Sequence, residues 1–251
     1  MHAFVGTDTG CALLASGMLE AQETALLCDV GTNGEMALWH QGKLYIASTD
    51  AGPAFEGAGI SCGCSGIPGA ICKAEVVDGK IIYHTIDDQK AVGICGSGLV
   101  DTVAAMLETG QLDETGLLET EAFFLRDGIA LNQCDIRAVQ LAKAAIYAGI
   151  EGLLAAAKCT LNDIEKMYIA GGFGSYLNLQ SAVRIGLFPE KLANRMHVLG
   201  NAALDGAAML LLNTNLRNIN AFMQSKAIHV SLAGNPVFAD CYIEAMLFGR
   251  E

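Results

Sequence analysis

The chain has 251 residues, 52% hydrophobic and 17% charged, with 29 glycines against 4 prolines. This excludes a disordered or fibrous protein and leaves one large domain or two fused lobes around a sizeable core. A net charge of −12 without a basic cluster excludes a nucleic-acid or anionic-membrane surface.

No run approaches the roughly 20 consecutive apolar residues of a membrane span. The start, MHAFVGTDTGCALLASG, lacks the basic region of a secretory signal, so a cytoplasmic setting is expected. Nine cysteines lie in apolar contexts, as reduced and buried thiols do. The one cluster, Cys62 and Cys64 with Cys72 beyond, lacks the second paired motif of a metal or iron–sulphur site, which favours a structural role.

In chain order, residues 1–22 read as a lead-in helix or connecting segment, and 23–251 as one lobe. TALLCDVG (24–31) suits a buried strand, and GEMALWHQGKLYIASTDAG continues as two more strands turning at HQG. KAEVVDGKIIYHTID alternates around Asp78-Gly79 and predicts a hairpin, inserted at about 72–92. GSGLVDTVAAMLETG is a helix opened by glycines, followed by a polar excursion through QLDETGLLETEAFFLRDG. The longest helix is predicted over 135–158, with Ile136, Val139, Ala142, Ile146, Ile150 and Leu153 at helical spacing. Then come a strand in KMYIAGGFG, a helix through LQSAVRIGL, a strand RMHVLG, a helix NAALDGAAMLLLN and a terminal helix in NPVFADCYIEAMLFGR. This order predicts an α/β fold, a ribonuclease-H-like mixed sheet flanked by helices. Such a sheet binds ligands at the carboxyl ends of its strands.

Asp29 falls at the end of the first strand, beside the turn GTNG. A carboxylate there can hold a hydrated Mg²⁺, which takes only one or two protein carboxylates. Gly31 lets backbone approach closely, while Thr32 and Asn33 can donate to phosphate oxygens. Alone, this motif also describes an ordinary turn. Gly96, Ser97 and Gly98 open a helix, where free N–H groups favour an anion; tight helix packing is the equal alternative. Gly171 and Gly172 follow a strand, where a base or ribose could lie against backbone. Glu56 could accept from ribose hydroxyls or stand as a solvated glutamate at a helix start.

Together, CDVGTNGEMAL, STDAGPAFEGAGI, YIAGGFGSYL and GNAALDGAAMLL resemble the second lobe of the acetate and sugar kinase, heat-shock chaperone and actin ATPases. Adding FVGTDT, AGPAFEGAGISCG, PGAI, GICGSGLVD, RAVQLAKAAIYAGIE and RIGLFP, the chain resembles the carboxy-terminal part of the reductive activators of corrinoid proteins, from about Phe4 to Phe248. The resemblance implies an ATP- and Mg²⁺-binding module that powers electron transfer to a Co(II) corrinoid, returning it to Co(I). It places Asp29, Gly31, Thr32 and Asn33 at phosphate and Mg²⁺, with Gly96, Ser97 and Gly98 shaping the phosphate site. Glu56, Gly57, Gly171, Gly172 and Phe173 would flank the nucleoside, and Asp8 would orient the attacking water.

Family members carry an amino-terminal iron–sulphur domain, a middle domain and a first lobe, which these residues do not supply. A half-built cleft is therefore expected, with an apolar docking surface that favours dimerisation or contact with a corrinoid protein or methyltransferase. Two other readings are a small-molecule kinase lobe of the same superfamily and a non-enzymatic module docking a corrinoid protein.

Overall fold

Short runs of apolar side chains build the central sheet of the computed structural model, which describes residues 6–126, 128–173 and 176–249. Strands β1 (Ala25–Val30), β2 (Asn33–His40) and β3 (Lys43–Asp50) form an antiparallel meander. Gln41 and Gly42 turn the second hairpin with φ of 49° and 73°, the positive pair that a two-residue turn between twisted strands needs. Strands β9 (Lys166–Ala170) and β10 (Met196–Gly200) add in parallel beside β1, and β11 (Ala227–His229) adds in parallel outside β3. The order is β10-β9-β1-β2-β3-β11.

The sheet is buried on both faces, so its strands carry apolar residues at successive positions. Leu26, Cys28, Val30, Met36 and Leu38 face one core, shared with helix α3 (Gln133–Ala157). Ala25, Leu27, Ala37 and Ile46 face the other, shared with α1 (Thr7–Ser16) and reached by Ala202 of α5 (Ala202–Leu212) and Met223 of α6 (Asn215–Lys226).

The six residues that predicted the long helix by their spacing are all fully buried. The helix begins with a reciprocal cap: Asn132 Oδ1 accepts from the N–H of Cys134 (2.8 Å) and Asp135 (3.1 Å), while Asp135 Oδ2 accepts from the Asn132 N–H (2.8 Å). Although α3 is long and apolar enough to cross a bilayer, it is mostly buried within the fold. Its far side receives α7 (Pro236–Glu244). Lys143, fully buried on α3, donates to the carbonyls of Ala245 (2.5 Å) and Leu247 (2.6 Å) just past α7, and its Nζ lies 5.0 Å from the Phe248 ring centre.

The inserted hairpin is β4 (Ala70–Val77) and β5 (Lys80–Thr85), joined by β6 (Gly93–Ile94) into a small sheet ordered β5-β4-β6. It starts slightly before the expected boundary, because Ala70 and Ile71 pair with β6. Helix α2 (Gly96–Glu108) lies against β4. The polar excursion contains a second hairpin, β7 (Ala122–Arg126) with β8 (Ile129–Asn132). Helix α4 (Leu179–Arg184) ends sooner than LQSAVRIGL suggested; Gly186, with φ 74°, follows its last turn.

Candidate functional site

The site begins where parallel strands β1, β9 and β10 end side by side. Asp29, next to last in β1, is paired with Ala170 of β9 on one side and Glu35 of β2 on the other. Gly171 then turns away with φ 99°, and a Cβ at this position would stand 2.7 Å from Asp29 Oδ1 and 3.0 Å from the Val30 carbonyl. Only glycine meets both demands, so the turn after β9 lies directly against the carboxylate. The Gly171 N–H donates to the Gly200 carbonyl at 3.0 Å, tying the ends of β9 and β10 together.

Burial, and then the nearby carboxylates of Glu35 and Asp8, push the Asp29 carboxyl up to about 6. Among the described residues, no donor hydrogen-bonds to the Asp29 side chain, and no three His, Cys, Asp or Glu side chains are arranged to hold a metal ion directly. A crowded, donor-free carboxylate with two acidic neighbours favours a cation.

The turn beyond Asp29 is held from outside the hairpin. Gly31 donates to the Asn33 carbonyl (3.2 Å), and Ala51 donates to the Thr32 carbonyl (3.2 Å). Glu56 accepts from the Thr32 N–H through Oε1 (3.1 Å) and from the Thr32 hydroxyl through Oε2 (2.5 Å). It ends a short 3₁₀ turn, Ala54–Glu56, after which Gly57 (φ 78°) passes so close to the Cys64 carbonyl that a Cβ would lie 2.3 Å from it.

Glu56 also lines a cavity of about 250 Å³ together with Phe55, Gly96, Ser97, Gly172 and Phe173. The rings of Phe55 and Phe173 stack with centroids 5.2 Å apart. Among the described residues, the N-cap residue Cys95 gives the first turn of α2 no side-chain cap, and Gly96 and Ser97 present that helix end to the cavity, where free N–H groups favour an anion. Packing also constrains its glycines: a Cβ on Gly96 would be 1.9 Å from the Phe55 carbonyl, and one on Gly98 2.1 Å from the Ile71 carbonyl. The Ser97 hydroxyl donates to the Cys72 carbonyl (3.0 Å).

Five of the residues singled out from sequence therefore share one cavity: Glu56, Gly96, Ser97, Gly172 and Phe173. Asp29, Gly31 and Thr32 sit beside it, linked through the Thr32–Glu56 contact. Asn33 instead lines a separate cleft of about 520 Å³ with Gly6, Glu35 and Asp50. Asp8 lies in the first turn of α1, accepting from the Thr9 N–H at 3.2 Å, and is close enough to act on Asp29. Two participants were missed, Glu35 and Phe55. Glu35 could have been found by counting: with a three-residue loop, Gly31 to Asn33, between paired Val30 and Gly34, residues 29 and 35 must be opposed.

A mixed sheet flanked by helices, with a carboxylate and glycine turns at one end of its parallel strands, defines the actin-like ATPase lobe. The family described as "C-terminal domain of RACo the ASKHA domain" matches residues 23–251, and the chain belongs to it. The corrinoid activation enzyme RamQ of Eubacterium limosum is 35% identical over 99% of this chain and 46% of its own length. The [Co(II) methylated amine-specific corrinoid protein] reductase of Methanosarcina barkeri is 30% identical over 95% of this chain and 48% of its own. The solved structure of a reductive activator for corrinoid, iron–sulfur protein superposes with a TM-score of 0.90 at 33% identity, covering 98% of this chain and 43% of that one. The chain thus spans less than half the length of these relatives.

Proposed function

We propose that this chain is the nucleotide-binding lobe of a reductive activator, which uses ATP to return a Co(II) corrinoid protein to Co(I). The observation that carries the reading is the cavity that Glu56 shares with the start of α2, with Thr32 and Asp29 beside it through the Thr32–Glu56 contact. Bound Mg²⁺ would supply charge neutralisation for phosphate oxygens. Asp29 would hold that ion through its waters, and Gly31 and Thr32 would keep the hairpin backbone against the phosphates. The N–H groups of Gly96 and Ser97 would donate to phosphate oxygens. Phe173 and Phe55 would form the apolar wall for the nucleoside, with Gly172 leaving room beside it, and Asp8 would orient water.

The cavity is smaller than the 300–1,000 Å³ of typical complete ligand sites, which supports a cleft finished by another lobe. Leu204, Leu211 and Leu212 expose 63%, 78% and 88% of their surface along α5, and this reading assigns that apolar face to the adjoining lobe or to a second copy. A corrinoid protein is the proposed partner, and an iron–sulphur cluster would belong to a part of the activator outside these residues.

Calorimetric titration with Mg-ATP, beside Asp29→Ala, tests the reading. Micromolar binding that weakens at least tenfold in the variant is expected. Absence of heat with both proteins would overturn autonomous nucleotide binding by this lobe.

A further inference from the structure

We propose that Glu35 is a positioning residue that couples the hairpin beside Asp29 to the first turn of α1. The inference rests on the nucleotide reading for the ligand, and on three structural observations for the coupling.

The first is a bridge. Glu35 Oε1 accepts from the Gly6 N–H at 3.1 Å, and Oε2 accepts from the Thr9 hydroxyl. Gly6 has no side chain with which to cap α1, and a strand residue far along the chain supplies the acceptor for its N–H. The second is register. Glu35 stands opposite Asp29 in the β1–β2 ladder, so a cation or phosphate arriving at Asp29 alters the field at the same carboxylate that holds α1.

The third is transmission. A Cβ on Gly206 of α5 would lie 1.9 Å from the Cys11 carbonyl of α1. The two helices therefore touch backbone to backbone, and a shift of α1 cannot leave α5 in place. Glu35 and Gly6 both line the 520 Å³ cleft, so their contact can open without breaching the core. Coupling of this kind is reciprocal: a ligand that orders the hairpin orders α1, and loosening α1 loosens the hairpin.

Hydrogen exchange on the full chain, followed by mass spectrometry with and without Mg-ATP, tests this with Glu35→Gln and Thr9→Val. In the parent chain Mg-ATP should slow exchange roughly threefold or more in both the hairpin turn and residues 6–12. In the variants the hairpin should still respond while residues 6–12 do not. A response of residues 6–12 that survives in both variants overturns the coupling, as does a parent chain in which only the hairpin responds. If Mg-ATP protects neither segment, the nucleotide reading fails, and the ligand-free comparison decides the coupling. Glu35→Gln must then accelerate exchange at residues 31–34 as well as at α1, and acceleration confined to α1 overturns it.

Discussion

Asp29 and Glu35 are register partners across the β1–β2 ladder, two carboxylates opposed at the mouth of the candidate site. Like charges directly opposite one another weaken a strand pair, and here burial adds to the penalty.

That arrangement predicts a pH dependence. The Asp29 carboxyl rises from 3.8 to about 6 on folding, so the folded chain binds its proton more tightly than the unfolded chain. Stability from this group is present below about pH 4 and is lost as pH climbs through about 6. Without metal, Asp29→Asn should stabilise the chain at pH 7.5 by on the order of 1–3 kcal/mol and have little effect at pH 4. Urea denaturation at the two pH values checks this, and equal midpoint shifts at both would count against it. Mg²⁺ should narrow the difference for the parent chain alone.

The Thr32–Glu56 contact predicts a local effect. Glu56→Ala frees the Thr32 N–H and hydroxyl in an exposed turn, so stability should drop by only about 0.5–1.5 kcal/mol. Mg-ATP affinity should fall more steeply, because an unanchored turn must be ordered by the ligand. Chemical denaturation and calorimetry on the same variant separate the two quantities.

Gly171 predicts a larger one. Gly171→Ala forces a side chain into a backbone conformation with φ 99° and toward Asp29 Oδ1. A loss of about 1–3 kcal/mol is expected, together with weakened Mg²⁺ binding; Gly172→Ala, with open space around its Cβ position, should retain the parent stability.

Lys143 ties the end of the chain to α3. Lys143→Met removes the donor for the Ala245 and Leu247 carbonyls in a closed environment, at a cost of about 2–4 kcal/mol. Exchange should accelerate at residues 245–248 first, which peptide-resolved mass spectrometry would report.

Much of the scaffold was legible in sequence because its signals are local. Ala25 to Cys28 form an unbroken apolar run, Ile136 to Leu153 repeat at helical spacing, and Asp78-Gly79 marks a tight turn. Helix α6 escaped notice because its sequence, NLRNINAFMQSK, has few apolar positions and gains its place by burying Met223 against the sheet. Strand β11 is only three residues long and exists because β3 offers it an edge. At the site, the glycines announced close approach without naming what approaches. Glu56 could be read as a ligand contact, yet both its oxygens hold Thr32. Glu35 sits near the start of its strand beside an exposed turn, where a glutamate reads as solvent-facing, and its contacts with Gly6 and Thr9 depend on a helix docked from elsewhere.

The margins of the central sheet carry a consequence for self-association. One border, β11, offers three residues of backbone, and the other, β10, shifts register between Val198 and Gly200. Brief or irregular borders give an incoming strand little to zip onto. Ribbon-like growth by strand addition at the central sheet is thereby discouraged.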